Sequence, residues 1–163
     1  MIVKNKLHKD VLAWEIEIPD LSIDAENLDY KLQDGSLFGS LSTRFENKDS
    51  ILLKKIKNLL NIDYIKEKVP EHKEIDIKIF KDIPGFKLFP HEDAPHHKAF
   101  LMFNLTDNID STTFYDAEKK FLCKGPNKKN TGVFHLLHTK PIILHAIENT
   151  SNKNRYTAIA FIK

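Results

Sequence analysis

From Ile75 to Ile162 the chain breaks into short apolar runs separated by turn residues, and this pattern limits the possible fold more than anything else in it. Ile75, Ile77 and Ile79 are spaced by two with Asp76 and Lys78 between them, the period of an extended strand with one apolar face. Pro84-Gly85 marks a turn, and Phe86 to His91 reads as the next strand. Ala99 to Leu105 is a continuous apolar strand closed by Thr106-Asp107-Asn108. Thr112 to Tyr115 and Phe121 to Cys123 are short and β-prone, and Gly125 to Asn130 is a charged turn. Thr131 to Leu136, Pro141 to Glu148 and Arg155 to Ile162 supply three more strands. Many short strands with turn signals between them predict a sandwich or jelly roll.

The part before Ile75 has a different character. Val11 to Ile18 alternates as a strand and ends at Pro19-Asp20, and Leu21 to Tyr30 fits a short helix opened by Ser22 or Asp24. Lys31 to Asp49, with Asp34-Gly35 and Gly39-Ser40, reads mostly as loop. Tyr30, Phe38 and Phe45 are placed there either to cover a site as a lid or to anchor the loop to the core. Asp49 or Ser50 can cap a helix reaching about Leu60, with Ile51, Leu52, Ile56, Leu59 and Leu60 on one side. Asn61 to Lys68 extends it, and Val69-Pro70 stops it. The expected architecture is mainly β with N-terminal helices, in one domain over residues 1–163. Residues 1–72 would give strand and helix support and a lid, and residues 73–163 a jelly-roll core. The Ser50 to Leu60 helix is expected on the outside of one sheet, away from any site.

Composition excludes several classes of function. The 163 residues are enough for one domain with a real core. A net charge of +2 and a pI of about 8.5 are too balanced to indicate nucleic acid. A single cysteine, Cys123, excludes an internal disulfide and points to a reducing, cytoplasmic setting. Met1 to Asp10 lacks the apolar run of a signal peptide, and no apolar run is long enough to span a membrane. Only two of the 25 basic side chains are arginine, Arg44 and Arg155. Where Lys is the default cation, a retained Arg hints at a task that needs its rigid two-pronged fork.

The stretch that carries chemistry is Phe89-Pro90-His91-Glu92-Asp93-Ala94-Pro95-His96-His97. In an extended strand His91 and Asp93 point the same way, presenting an imidazole beside a carboxylate. These are two thirds of a metal site, and the third ligand is expected to be a downstream His on another strand. Two His and one carboxylate on one face of a cation leave positions open, the donor set of non-haem Fe(II) centres. By itself His-x-Asp is a weak signal in a chain with eight His, and its bland reading is a solvated loop. His138 and His145 compete for the distal place. His96 and His97 either line the mouth of a site or are solvated, His135 reads as a packed strand residue, and His8 and His72 read as surface. Asn104 either points into a barrel or caps a turn.

The order of features from Ile75 onward resembles the Fe(II)- and 2-oxoglutarate-dependent dioxygenases, in particular the prolyl-hydroxylase-like branch. An apolar strand (Ile77 to Phe80) leads to Pro84-Gly85, then His91-Glu92-Asp93, then an apolar strand into a polar turn (Phe100 to Asn104). Thr112-Thr113-Phe114-Tyr115 and Gly132-Val133-Phe134 follow, then a His in Leu144-His145-Ala146, and Arg155 ten residues beyond it. The resemblance covers about the last ninety residues. It favours His145 over His138 as the distal ligand, because only His145 has an apolar strand around it and an Arg at that distance. It implies a double-stranded β-helix (jelly roll) in which His91, Asp93 and His145 hold Fe(II), and in which these three are the catalytic centre.

The same resemblance implies 2-oxoglutarate as cosubstrate, bound by Arg155 with help from Thr157 on the same strand face. It implies O2 as oxidant, ascorbate as a reductant, and succinate and CO2 as products of a hydroxylase. Arg155 as a surface residue is the bland alternative. Phe80 departs from the pattern, since such enzymes often carry there a Tyr that helps bind 2-oxoglutarate. The usual Gly-Gly before the Thr-rich strand is also missing. Asp93 argues against halogenation, which needs that carboxylate to be absent. The oxidised substrate stays open between a prolyl or other peptidyl group, a small molecule and a nucleobase. Two further readings stand beside this one: a non-catalytic jelly-roll binding module, and a metal-dependent enzyme that does not use 2-oxoglutarate.

Overall fold

The computed structural model describes residues 1–19, 21–32 and 44–163. Asp20, Asp34-Gly35, Phe38 and Gly39-Ser40, to which part of the turn, loop and lid expectations attach, lie outside the described residues. Among the described residues the strands are β1 (Ile2–His8), β2 (Val11–Glu17), β3 (Lys31–Leu32), β4 (Arg44–Asn47), β5 (Ile75–Asp82) and β6 (Lys87–His91), then β7 (Ala99–Asn104), β8 (Thr113–Asp116), β9 (Phe121–Lys124), β10 (Thr131–Leu136), β11 (Ile143–Glu148) and β12 (Arg155–Ile162). Two helices, α1 (Ser50–Leu59) and α2 (Ile62–Lys68), sit between β4 and β5.

The strands form two antiparallel sheets. One runs β1-β2-β10-β7-β12-β5-β4-β3 and the other β6-β11-β8-β9. From β5 onward the chain passes back and forth between them, with β5, β7, β10 and β12 in the large sheet and β6, β8, β9 and β11 in the small one. That is jelly-roll connectivity.

Two apolar cores follow from the strand alternation. One lies between the sheets and joins Phe80, Phe100, Met102, Val133 and Ile159 of the large sheet to Phe114, Ile143 and Ile147 of the small one. The other lies on the outer face of the large sheet, where Ile77, Ile79, Leu101, Phe103, Phe134, Ala158 and Ala160 meet Ile56, Leu60 and Ile65 of the helical segment. Period two thus sends odd and even positions of one strand into different cores. Gly132 on β10 has to be glycine, because a Cβ there would collide with the Met102 carbonyl and lie 2.5 Å from Phe103 Cα.

Four expectations need correcting. The helices are mid-chain and not N-terminal, because the chain opens with the β1–β2 hairpin at the edge of the large sheet. β1 escaped the sequence reading because an edge strand with mostly exposed side chains needs no apolar run. Lys31 to Asp49 is not all loop either, since β3 and β4 extend the sheet past β5. The short helix expected over Leu21 to Tyr30 is a single 3-10 turn, Ala25–Asn27. The helix over Ser50 to Lys68 is two helices. Asp49 caps α1 by accepting from the Ile51 and Leu52 amides, and Asn61 caps α2 by accepting from Tyr64.

Candidate active site

His91 ends β6 and pairs with His145 on β11. Between Leu88 and His91 the β6–β11 register shifts, so Phe89 and Pro90 oppose a single residue of β11. Leu88 faces the inner core, and without the bulge His91, three positions later, would face out. Pro90 is tolerated because β6 is the edge of its sheet, where a missing N–H breaks no ladder. Asp93 lies in the loop after β6, so strand alternation is not what aligns it with His91. The bulge and the loop together bring the two side chains to one place.

There the donor atoms of His91, Asp93 and His145 all fall within 4.8 Å of one another. His91 Nε2 is 3.6 Å from one oxygen of Asp93, and His145 Nε2 is 3.6 Å from the other. Ligand atoms about 2.0–2.2 Å from one cation sit roughly 3–3.5 Å apart, so small side-chain adjustments close this set on an ion. His91 Nδ1 lies 2.7 Å from the Phe89 carbonyl, to which it can donate, leaving Nε2 as the lone-pair atom facing Asp93. Burial, with smaller effects from the neighbouring charges, pushes His145 down to about 3, so it is a neutral imidazole, the form a metal needs. Asp93 is held below the usual carboxylate range: burial acts against this, and the His91 side chain with the other nearby imidazoles outweighs it. Asp93 Oδ2 and His145 Nδ1 are buried with no hydrogen-bond partner among the described residues. An acceptor-only oxygen left in that state amid imidazoles fits a cation and not a structural hydrogen-bond network.

His138 is elsewhere. It takes a positive φ of 53°, and its ring contacts Glu92 and the Ala94 carbonyl. His135 is buried in the inner core with Nδ1 3.2 Å from the Leu12 carbonyl, its ring against Phe100 and Phe114 and 6.1 Å from that of His145. His97 stacks on Phe161. Asn104 is buried and ties loops together, donating to the Pro126 and Thr131 carbonyls.

Arg155 opens β12 on the interior face and is 2% exposed, so the surface reading does not hold. Its Nη1 donates to Asp82 Oδ2 at 2.9 Å, and among the described residues its Nη2 meets only the Met102 sulfur at 3.8 Å. Arg155 Nε and Thr157 Oγ1, two residues apart on one strand face, are buried without partners among the described residues. Burial pulls the Arg155 pKa below its usual value, Asp82 opposes that, and Arg44 adds to it. Arg44 belongs to the same cluster, with Nε 2.6 Å from Asp82 Oδ1 and a nitrogen of its fork 3.0 Å from Oδ2. Sequence reasoning did not single out Asp82, which ends a strand just before the Pro84-Gly85 turn. The sequence signal was limited to Arg44 and Arg155 being the two arginines of a lysine-rich chain; that both meet one carboxylate is visible in the structure alone. A polar cleft of about 650 Å3 borders Arg155 between the β11–β12 hairpin and the loop after β7, but touches none of the three metal-type side chains.

The fold recurs in proteins of known structure. The chain superposes on a 2-oxoglutarate–Fe(II) oxygenase family protein from Burkholderia pseudomallei with a TM-score of 0.62 and 12% identity, over 85% of this chain and 75% of that one. A Pseudomonas putida prolyl-4-hydroxylase gives 0.59 at 9% identity, over 81% and 76%. A Trichoplax adhaerens prolyl hydroxylase, in complex with a hypoxia inducible factor peptide fragment, gives 0.52 at 12% identity, over 68% and 56%. At these identities the likeness is one of fold. No protein-family model matches the chain, and no curated protein matches it. Among the described residues no helix is long and apolar enough to cross a membrane.

Proposed function

We propose that this chain is a non-haem Fe(II)/2-oxoglutarate-dependent dioxygenase on a double-stranded β-helix, a hydroxylase that couples decarboxylation of 2-oxoglutarate to oxidation of a second substrate. The observation that carries the reading is the convergence of His91, Asp93 and His145 within 4.8 Å inside a jelly roll. In this reading those three residues would hold Fe(II), which would supply the redox chemistry for a 2-oxo acid and O2. Arg155 grips the distal carboxylate of 2-oxoglutarate through Nε, which has no partner among the described residues, and Thr157 donates its hydroxyl to the same group. The Phe89 carbonyl keeps His91 in one tautomer and orientation. The aromatic wall of Phe100 and Phe114 keeps bulk water from the metal side.

Ascorbate as reductant, a cytoplasmic setting and a prolyl or other peptidyl substrate belong to the same proposal. The last is supported by the likeness to a prolyl hydroxylase solved with a peptide. The test is iron-dependent conversion of 2-oxoglutarate to succinate and CO2 by the purified protein, compared with His145→Ala. Conversion that needs iron and disappears in the variant supports the reading. Conversion absent from the wild type over a panel of peptidyl substrates, or unchanged in His145→Ala, refutes it.

A further inference from the structure

Two guanidiniums and one carboxylate form a row across three neighbouring strands. Strand register sets Arg44 of β4 opposite Asp82 of β5, and Asp82 opposite Arg155 of β12, so all three side chains share the inner face. Asp82 is fully buried and Arg155 nearly so. Arg44 uses both carboxylate oxygens in a two-pronged grip, which leaves Arg155 one charge-assisted bond. The charges of this row sum to +1 +1 −1 = +1, with the Asp110 carboxylate acting on Arg155 from outside the row, and Arg155 Nε and the Thr157 hydroxyl are buried without partners among the described residues. A buried cation in that state calls for one more anion. Arg44 is fixed in plane by two rings, its Cζ 4.3 Å from the Phe80 centroid and 4.2 Å from that of Phe86. Phe80 therefore serves as a bed for Arg44.

We propose that Arg44 and Asp82 form a clamp that orients Arg155 and sets the pocket at +1, so that it selects 2-oxo acids bearing a distal carboxylate. The proposal rests on the reading of 2-oxoglutarate as cosubstrate. Arg44 and Asp82 act through Arg155 and are positioning residues. With Arg44 removed, Asp82 neutralises Arg155 and turns its fork away from the ligand.

The test uses Mn(II)-loaded protein without O2, titrated calorimetrically with 2-oxoglutarate and with 2-oxobutyrate, which has the same 2-oxo acid head and no distal carboxylate. Arg44→Gln brings the cluster to +1 −1 = 0. It is expected to weaken 2-oxoglutarate about tenfold or more while 2-oxobutyrate and Mn(II) binding change less than about twofold. Arg44→Gln combined with Asp82→Asn returns the sum to +1 and is expected to recover most of the loss. Arg44→Lys keeps the charge without the fork and is expected to lose selectivity too, to a smaller degree; it carries the test if melting shows Arg44→Gln unfolded. Unchanged selectivity in the folded variants, or equal weakening of both acids, overturns the clamp. A wild-type protein that binds both acids equally overturns the cosubstrate reading first, and the clamp with it.

Discussion

Arg155 carries the case for an anionic ligand. A guanidinium this deeply buried, whose Nε has no partner among the described residues and whose Nη2 meets a thioether, has surrendered hydration without full replacement from them. Arg155→Lys is expected to raise the KM for 2-oxoglutarate on the order of tenfold to a hundredfold, the worth of one lost charge-assisted bond. Arg155→Ala should do worse and Thr157→Val less, with Fe(II) affinity little changed in all three. Succinate formation against 2-oxoglutarate concentration, with metal affinity measured separately, reads this out. An unchanged KM in both Arg155 variants would favour a metal enzyme that does not use 2-oxoglutarate. For the metal, His91→Ala, Asp93→Ala and His145→Ala should each abolish most Fe(II) binding and leave the fold intact, while His138→Ala should bind iron normally. Iron retained by His145→Ala and lost by His138→Ala would reverse the ligand assignment.

At the level of elements, strands with strong alternation were legible in the sequence and strands without it were not. β5, β7 and β12 announce themselves by apolar spacing, because both or one of their faces must be dry. β1 and β3 are edge strands with mostly exposed side chains, and β4 beside the edge is half-buried but built mainly of polar residues, so none of them leaves such a trace. The same limit hid half of the arginine cluster, since Arg44 acquires its role only through the β4–β5 register. The His91–Asp93 pairing was legible, but its cause was not: a bulge depends on the partner strand and on the turn, which no local pattern records. Two element-scale outcomes follow. Gly132→Ala should unfold the protein or leave it insoluble, because β7 and β10 cannot separate without opening both cores; a soluble variant of near wild-type melting temperature would contradict that packing. Asp49→Ala should cost about 1 kcal/mol by removing the α1 cap, seen as a shift of a few degrees in melting temperature with 2-oxoglutarate binding unaffected.

Over the whole molecule, the sheet that faces the site also faces the helices. The outer core fixes the large sheet from behind, and the inner core and the small sheet set the distance between β11 and β7 across the site. This packing holds two imidazoles uncharged, since burial pushes His135 down to about 4 and His145 to about 3. Their unfolded counterparts titrate near 6.5, so between that pH and the folded values the unfolded chain binds more protons. Stability of the metal-free protein should therefore be full above about pH 6.5 and fall as the pH drops toward 4. The contribution from His135 is on the order of 3 kcal/mol. Urea unfolding from pH 7.5 to 4.5 checks the sign, and His135→Phe should flatten the slope. A protein that gained stability on acidification would contradict the burial.

The most direct test of the central claim is anaerobic addition of Fe(II) and then 2-oxoglutarate, watched in the visible spectrum. A 2-oxo acid chelated to Fe(II) held by His91, Asp93 and His145 should give a weak charge-transfer band that needs both components. The band should be missing in His145→Ala and should require much more 2-oxoglutarate in Arg155→Lys. Iron that binds the wild-type protein tightly, with no such band at saturating 2-oxoglutarate, would contradict the account.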